Sequence, residues 1–432
     1  DNRSKESTLN ATNNKSINND VVAFVLAGGE GTRLRPLTTN ICKPAVEFGL
    51  DNNLVDFVIG NLINSGINKV YVIAQYQSKP LTKHVQTKWS HRVAQLDGFI
   101  EVLVPQDDRD SSRYLGTADA IFKNLDQLKN HNPKHVAIFS ADHIYRMDIR
   151  KMLQQHVEKN SDLTISSVPV PIESASSLGV LSVDTFDRII TFREKPSDPS
   201  PIPSDPSLAH ASMGNYIIKA DVLRSVAAIS MSQGLVDFGH DIIGWIINQY
   251  DVHSYDFRNN EIPGMKKYED SSYWYDVGSI HAYWKSHQDL LGHNPVIDLD
   301  NPHWPIGDSE ISHFNKVYDN SLVSLDAKID GAFIKNSIIR SNVVIESGAV
   351  VKDSIILGDA IIRKGAFVQN AIIAQNNIIH CDVKVGINQQ HDQRRYHLDP
   401  SGIVVVENGH HDAAYEIFNS QRHQKPTVSN AH

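Results

Sequence analysis

From Val21 onward, short β-rich apolar runs alternate with stretches of helical spacing. VVAFVL reads as a buried strand, while LVDFVIGNLINSGI sets Leu54, Phe57, Val58 and Leu62 on one helical face and places Gly66 to end that helix. KVYVIA and GFIEVLV read as further strands, TADAIFKNLDQL as a helix, and HVAIFSADH as a strand ending in an acid. This rhythm predicts a mostly parallel sheet covered by helices. Ligands of such sheets sit at the C-terminal ends of strands. The glycine-rich stretch after VVAFVL and the acid of SADH both fall at such ends.

After about Ser161 the pattern changes to strands with few helices between them: DLTISSVPVP, GVLSVD, RIITFREKP and ASMGNYIIK. Pro-rich PSDPSPIPSDPS reads as a surface loop, and two later helices are predicted around Gly239–Tyr250 and Ile280–Leu291. Beyond about Asn320, Ile338, Val344, Val350, Ile356, Ile362 and Val368 fall six apart. Val343, Ala349, Ile355, Ile361 and Phe367 form a second register beside them. Six is not a helical period; it predicts a hexapeptide β-helix whose stacked aliphatics fill a coil, with Gly348, Gly358 and Gly365 at tight corners. The expected division is a disordered leader over 1–19, an α/β domain over 20–291, a linker over 292–320, a β-helix over 321–412 and a flexible tail over 413–432. The leader is too polar to form a core and has no apolar segment of a secretory signal.

Composition narrows the function. At 432 residues the chain calls for at least two domains, and no apolar run is long enough to span a bilayer. A net charge of −9 argues against nucleic acid or a membrane surface as partner, so any anionic ligand needs a local cluster of bases. Two cysteines, Cys42 and Cys381, exclude a disulfide framework and a Cys-rich zinc site and suit a cytoplasmic protein.

The candidate chemistry starts with AFVLAGGEGTRLRP. Gly29 and Gly31 fit a dinucleotide fingerprint, but Leu34 stands where the third glycine belongs, and no P-loop pattern is present. The glycines still let backbone N–H groups approach a phosphate, and Arg33, Arg35 and Lys43 supply charge. The competing reading is an ordinary strand-to-helix turn with surface bases. Asp142, at the end of an apolar strand, is placed to hold Mg2+, or else to cap the next turn. Glu194 and Lys195 end another predicted strand, and Asp276 sits among aromatics in YWYDVGS. A partly buried acid of that kind needs a cation or donor. Together these groups read as nucleotidyl transfer, with Asp142 and Asp276 sharing a metal and Lys195 fixing a second anionic substrate.

LAGGEGTRL, KPAVEFG, YLGTADA, DHIY, EKP, ASMGNY, DFGHDII and DVGSIHAYW occur in the order found in the sugar-1-phosphate nucleotidylyltransferase family. From about Val21 to Gly402 the chain resembles the ADP-glucose-forming bacterial branch of that family. The resemblance implies a Rossmann-like nucleotidyltransferase domain, a C-terminal left-handed parallel β-helix and a homotetramer. It also implies Mg2+-dependent conversion of ATP and glucose 1-phosphate into ADP-glucose and diphosphate, feeding glycogen synthesis under small-molecule allosteric effectors. Carried over residue by residue, Leu26, Ala27, Gly28, Gly29, Gly31, Thr32 and Arg33 would hold ATP, with Lys43 near its phosphates. Gln106, Tyr114, Gly116 and Thr117 would bound the adenine pocket. Asp142 and Asp276 would bind Mg2+, Lys195 would grip the phosphate of glucose 1-phosphate, and Gly179, Glu194 and Ser212 would line the glucose site beside Tyr114. The catalytic set is thus Arg33, Lys43, Asp142, Lys195 and Asp276.

Departures from the enteric members activated by sugar phosphates are specific. Four effector-binding bases around the KPAV motif are replaced here by Asn40, Ile41, Glu47 and Asn53, although Arg394 and Arg395 remain in QRRYH. Arg113 and Leu115 stand where those members have Trp and Arg. A weak or different response to fructose 1,6-bisphosphate and AMP is expected. Rival readings are a relative using another NTP, a catalytically silent regulatory subunit, and an acyltransferase built on the β-helix with His380. His410, His411 and Asp412 are spaced poorly for a metal, and Cys42 reads as a packed thiol.

Overall fold

The computed structural model describes residues 20–105, 113–307, 314–315 and 318–409. Gln106, the leader, the tail and the His410–Asp412 cluster lie outside the described residues. The first unit is built on strands β1 (Val21–Ala27), β2 (Glu47–Phe48), β3 (Asn52–Asn53), β4 (Lys69–Ala74), β5 (Phe99–Leu103), β6 (His135–Ser140) and β7 (His143–Tyr145). It continues with β8 (Leu163–Pro171), β9 (Gly179–Val183), β10 (Ile189–Glu194), β11 (Leu208–Lys219), β12 (Val252–Asp256) and β13 (Trp274–Asp276). The main sheet runs β10-β9-β11-β6-β1-β4-β5, with β8 joining β11 to β12. β5, β4, β1 and β6 are parallel, and β11 runs antiparallel to β6, so the sheet is mixed.

Both faces of β1 are buried, which explains its unbroken apolar run. Val21, Ala23 and Val25 pack into a core with helices α1 (Leu54–Asn64), α2 (Ser78–Ala94) and α4 (Ile149–Glu158). Val22 and Phe24 pack on the opposite side with α3 (Thr117–Phe122) and α5 (Ala220–Gln233). α2, α4 and α5 are absent from the sequence reading: on α2 only Leu81, Val85, Trp89 and Val93 are buried, a four-residue stripe on an otherwise polar helix. The helix expected over 239–250 is a π-helical turn at Phe238–Ile243 followed by a short α-turn, and that over 280–291 is α6 (Ile280–Gln288). No helix among the described residues is long and apolar enough to cross a membrane.

The second unit is the hexapeptide-repeat left-handed parallel β-helix, with one correction to its period. Strand partners are Ile338↔Ile355↔Ile372 and Val344↔Ile361↔Ile378, so each coil has 17 residues, one fewer than three sixes. The inward row is Ile339, Ile345, Val351, Ile356, Ile362, Val368, Ile373, Ile379 and Val385. The unbroken six-residue series therefore drifts: Val344 and Val350 are half-exposed, and Ile338 points into the interface between the two units. Most corners are turned by Asn or Asp rather than Gly. Asn336, Asp353 and Asn370, and Asn342, Asp359 and Asn376, have positive φ and stack coil on coil. Gly348 and Gly365 also have positive φ, but Gly358 does not.

The stretch expected to be a linker or interdomain segment is described over 292–307, and there it packs against both units. Ile297, Trp304 and Ile306 are buried in a core shared by Leu34, Val46 and Phe48 of the first unit and Ile338, Ile355 and Ile372 of the β-helix. In the same junction His287 of α6 donates from Nδ1 to Tyr283 O (2.8 Å) and accepts at Nε2 from Gly49 N (3.1 Å), which requires the neutral ring. Burial pushes the imidazoles of His287 and His156 down to about 3. The unfolded chain binds these protons near pH 6.5, so the stability they carry is complete above that pH and is lost as pH falls from about 6.5 toward 3. Between pH 7 and pH 5 each histidine costs about 2 kcal/mol. A thermal melt at pH 5 should therefore show a Tm several degrees below that at pH 7.5, and His156→Gln should reduce the difference by about half, leaving the share of His287.

Candidate active site

Parallel register brings the glycine loop and the SADH acid together. Leu26 of β1 pairs with Ser140 of β6, and Ala141 N donates to Leu26 O at 3.1 Å. Gly28 and Asp142 therefore leave the same edge of the sheet side by side. A Cβ at Gly28 or Gly29 would meet nothing within 4 Å, and neither has a positive φ. Packing within the described chain does not require glycine there, whereas close approach of a ligand would. Gly31 is different: its φ is +64°, and a Cβ would lie 2.8 Å from Lys43 Cβ and 3.1 Å from Thr38 Cγ2. Thr38 Oγ1 donates to Gly31 O at 2.7 Å, and Leu34, fully buried in the shared core, anchors the turn over Thr32–Leu34. Glu30, Thr32 and Arg33 remain exposed around it.

Lys43 begins a short 3-10 turn with Pro44 at its second position, and its side chain is buried. Nζ donates to Asp142 Oδ2 at 3.0 Å and to Asp276 Oδ1 at 3.1 Å. Burial alone would lower the ammonium, but Asp142 and Asp276 outweigh it and hold Lys43 above its ordinary value. Burial would likewise raise Asp142, but His143 and Lys43 hold its carboxyl well below the usual range. Asp276 arrives from β13, which pairs antiparallel with β7 so that Asp276 faces His143. His143 Nδ1 lies 3.1 Å from Asp142 Oδ1, Nε2 lies 4.0 Å from Asp276 Oδ1, and the ring stacks on Trp274 at 4.8 Å. One ligand atom from each of Asp142, His143 and Asp276 falls within 4.8 Å of the others, a converging donor set of two carboxylates and one imidazole. Two partly exposed carboxylates suit a hard oxygen-seeking cation such as Mg2+. Arg33 joins this group through Gly278, where a Cβ would stand 3.2 Å from Arg33 Nη2 and 3.1 Å from Asp276 Oδ2.

A second group lies across the sheet. Gly179 pairs with Glu194 between β9 and β10, and a Cβ at Gly179 would fall 2.9 Å from Glu194 Oε2. Lys195 follows with φ +46°, an uncommon backbone for a non-glycine residue. Its side chain is about two-thirds exposed, and Nζ lies 3.4 Å from Glu194 Oε1. Its ion-pair partner is Glu194, not the Asp142–Asp276 pair. Glu194 also lines a cleft of about 350 Å³ with Phe192, Gly239 and His240. Ser212 precedes a bulge in β11, where Gly214, with φ +71°, approaches Ser140 Oγ. That contact ties the Ser212 turn to the strand leading to Asp142.

The third group gathers at the start of α3. Gly116 has extended backbone, but a Cβ would come 2.4 Å from Val236 O, so close packing explains its glycine. Thr117 Oγ1 donates to Asp237 Oδ2 at 3.1 Å and accepts from Phe238 N at 2.8 Å. Tyr114 N donates to Gln75 Oε1 at 2.6 Å, and its hydroxyl accepts from Asn124. Sequence reading missed His143, Gly278, Gln75 and Asp237. His143, Gly278 and Asp237 sat inside the quoted motifs DHIY, DVGSIHAYW and DFGHDII, and Gln75 directly follows the KVYVIA strand, but their partners come only from the fold.

Comparison with known proteins matches residues 22–293 to the nucleotidyl transferase family and residues 309–406 to the GlmU-like C-terminal hexapeptide family. A glucose-1-phosphate adenylyltransferase of Thermodesulfovibrio yellowstonii is 41% identical over 89% of this chain and 95% of its own. That of Thermus thermophilus is 41% identical over 90% and 99%, and that of Deinococcus radiodurans 36% over 90% and 98%. With near-complete coverage of both units, the chain belongs to the glucose-1-phosphate adenylyltransferase family of nucleotidyltransferases.

Proposed function

We propose that this enzyme transfers the adenylyl group of ATP to glucose 1-phosphate, with Mg2+, giving ADP-glucose and diphosphate. The observation that carries this reading is Lys43 bridging Asp142 and Asp276 directly beside Gly31 at the exposed edge of β1 and β6. A phosphate oxygen of glucose 1-phosphate attacks the α-phosphorus of ATP. The new O–P bond forms as the bond to the β-phosphate bridging oxygen breaks, and diphosphate leaves with that electron pair. The nucleophile is already anionic, so no general base is needed. The chain instead supplies position and charge. Gly28 and Gly29 leave room for the triphosphate, and Arg33 and Lys43 supply positive charge beside it. Mg2+ held by Asp142 and Asp276 would offset the charge that develops on the phosphate oxygens. Lys195 with Glu194, Gly179 and Ser212 would hold the sugar phosphate, and Tyr114, Gly116 and Thr117 the nucleoside side.

An altered effector response belongs to the same proposal. Asn40, Ile41 and Glu47 line a narrow crevice of about 50 Å³ with Glu407 and Asn408, and no base is among its lining residues. A multianion loses about 1.5–3 kcal/mol for each bond to a charged group removed. Bases gather instead around a cleft of about 800 Å³ lined by Arg35, Lys79, Lys83 and Arg113, where an anionic effector would be read. Diphosphate release measured with ATP, UTP, GTP and dTTP, each with and without fructose 1,6-bisphosphate and AMP, tests both parts. Turnover should be selective for ATP and little changed by the bisphosphate. Preference for another NTP, or strong activation by the bisphosphate, would overturn the corresponding part. The family placement, an intact carboxylate pair and a paired Lys43 favour this reading over a silent subunit. A homotetramer and a role in glycogen synthesis remain expectations from the resemblance.

A further inference from the structure

The β2–β3 hairpin turns three carbonyl oxygens and one carboxylate toward a single cation from the other unit. Arg340, at the end of the Ile338–Ile339 strand of the β-helix, is 5% exposed. Its Nη1 approaches Phe48 O at 3.0 Å, Gly49 O at 2.9 Å and Asn52 O at 3.1 Å. Its Nε lies 3.4 Å from Glu47 Oε2, and the same oxygen accepts from Gly358 N at 3.3 Å. Buried carbonyls and a carboxylate facing one another need a donor between them. Here the β-helix provides it.

This hairpin is bonded to the turn that carries Lys43. Val46 N donates to Lys43 O, Leu54 N to Val46 O, and Asn53 Nδ2 to Ala45 O, each at 3.0 Å. The hairpin's other side is held by α6: Tyr283 OH donates to Glu47 O at 2.6 Å, and His287 accepts from Gly49 N. α6 begins four residues after Asp276. The hairpin is thus bonded to both the Lys43 turn and the helix following Asp276.

We propose that Arg340 is a positioning residue for adenylyl transfer: from the β-helix it sets Lys43 between Asp142 and Asp276 through the 46–53 hairpin. This rests on the proposed reaction and goes beyond it, because no β-helix residue takes part in that chemistry. Arg340→Met keeps most of the side-chain volume and removes charge and donors. It should lower kcat about 10–100-fold, the scale of a misplaced catalytic group, while the KM for glucose 1-phosphate stays within about twofold. Arg340→Lys, whose three N–H groups match three carbonyls, should recover most of the loss. In a double-mutant cycle, Lys43→Ala with Arg340→Met should be no slower than Lys43→Ala alone, within about twofold. Hydrogen exchange of the 46–54 amides should quicken in Arg340→Met. If Arg340→Met does not fold, Arg340→Gln, which keeps an amide donor, takes its place in the cycle. Near-normal kcat in the folded variant, or multiplicative losses in the cycle, would overturn the assignment. Wild-type turnover separates the two claims: with none, the reaction itself is wrong, and with turnover in wild type and folded variant alike, only the role of Arg340 is.

Discussion

Asp142→Ala lowers kcat for ADP-glucose formation by about 10²–10³-fold, the cost of removing one preorganised electrostatic group from a charge-stabilising site. Two losses combine. The carboxylate accepts one of the two bonds of the Lys43 ammonium, and it is one of the two carboxylates in the converging donor set. Without it, a buried cation keeps only Asp276 as partner, and a hard metal ion loses a charged oxygen ligand. Asp142→Asn separates the two effects from shape: the amide keeps the volume but cannot neutralise a cation, so it should also be slow. Initial rates at saturating substrate and a melt for each variant check this. A folded Asp142→Ala protein with near-normal turnover would mean that Asp142 is a structural partner of Lys43 and no more.

Lys195→Gln should act on a different constant. A hydrogen bond between charged groups contributes about 1.5–3 kcal/mol, roughly 10–150-fold in affinity. The Lys195 side chain is about two-thirds exposed, so solvent screening places the effect near the lower end, about tenfold. Lys195 lies with Glu194 and Gly179, and the proposed function assigns these residues to the sugar phosphate. Loss of uniform binding raises KM and leaves kcat within a few-fold. The rise should appear for glucose 1-phosphate and not for ATP. A change confined to the KM for ATP would assign Lys195 to the nucleotide instead.

The parts legible in the sequence were those with local signals. The apolar run of β1, the glycines after it and the acid closing SADH each announced a strand end, and parallel pairing places them together. Pairing across long separations was not legible. Lys43 meets Asp142 across 99 residues and Asp276 across 233, and nothing in composition or spacing links them. Family resemblance supplied the roles, but the bridging geometry came only from the fold. His143 was hidden because a histidine beside an acid in a strand end has no distinctive spacing; its position opposite Asp276 comes from β7–β13 pairing. The six-residue period was correct in kind and wrong in phase, since one corner per coil is a residue short. Helix α2 escaped because its buried stripe, Leu81, Val85, Trp89 and Val93, is only one residue wide. The 292–307 stretch looked like a linker because its anchors, Ile297, Trp304 and Ile306, carry no period.

The most direct test is to incubate the purified chain alone with ATP, glucose 1-phosphate and Mg2+ and to quantify both products. ADP-glucose and diphosphate should form in equal amounts, and both should fall to the blank when glucose 1-phosphate or the divalent ion is withheld. A folded protein that forms neither product under these conditions would contradict the reading and point to a silent subunit.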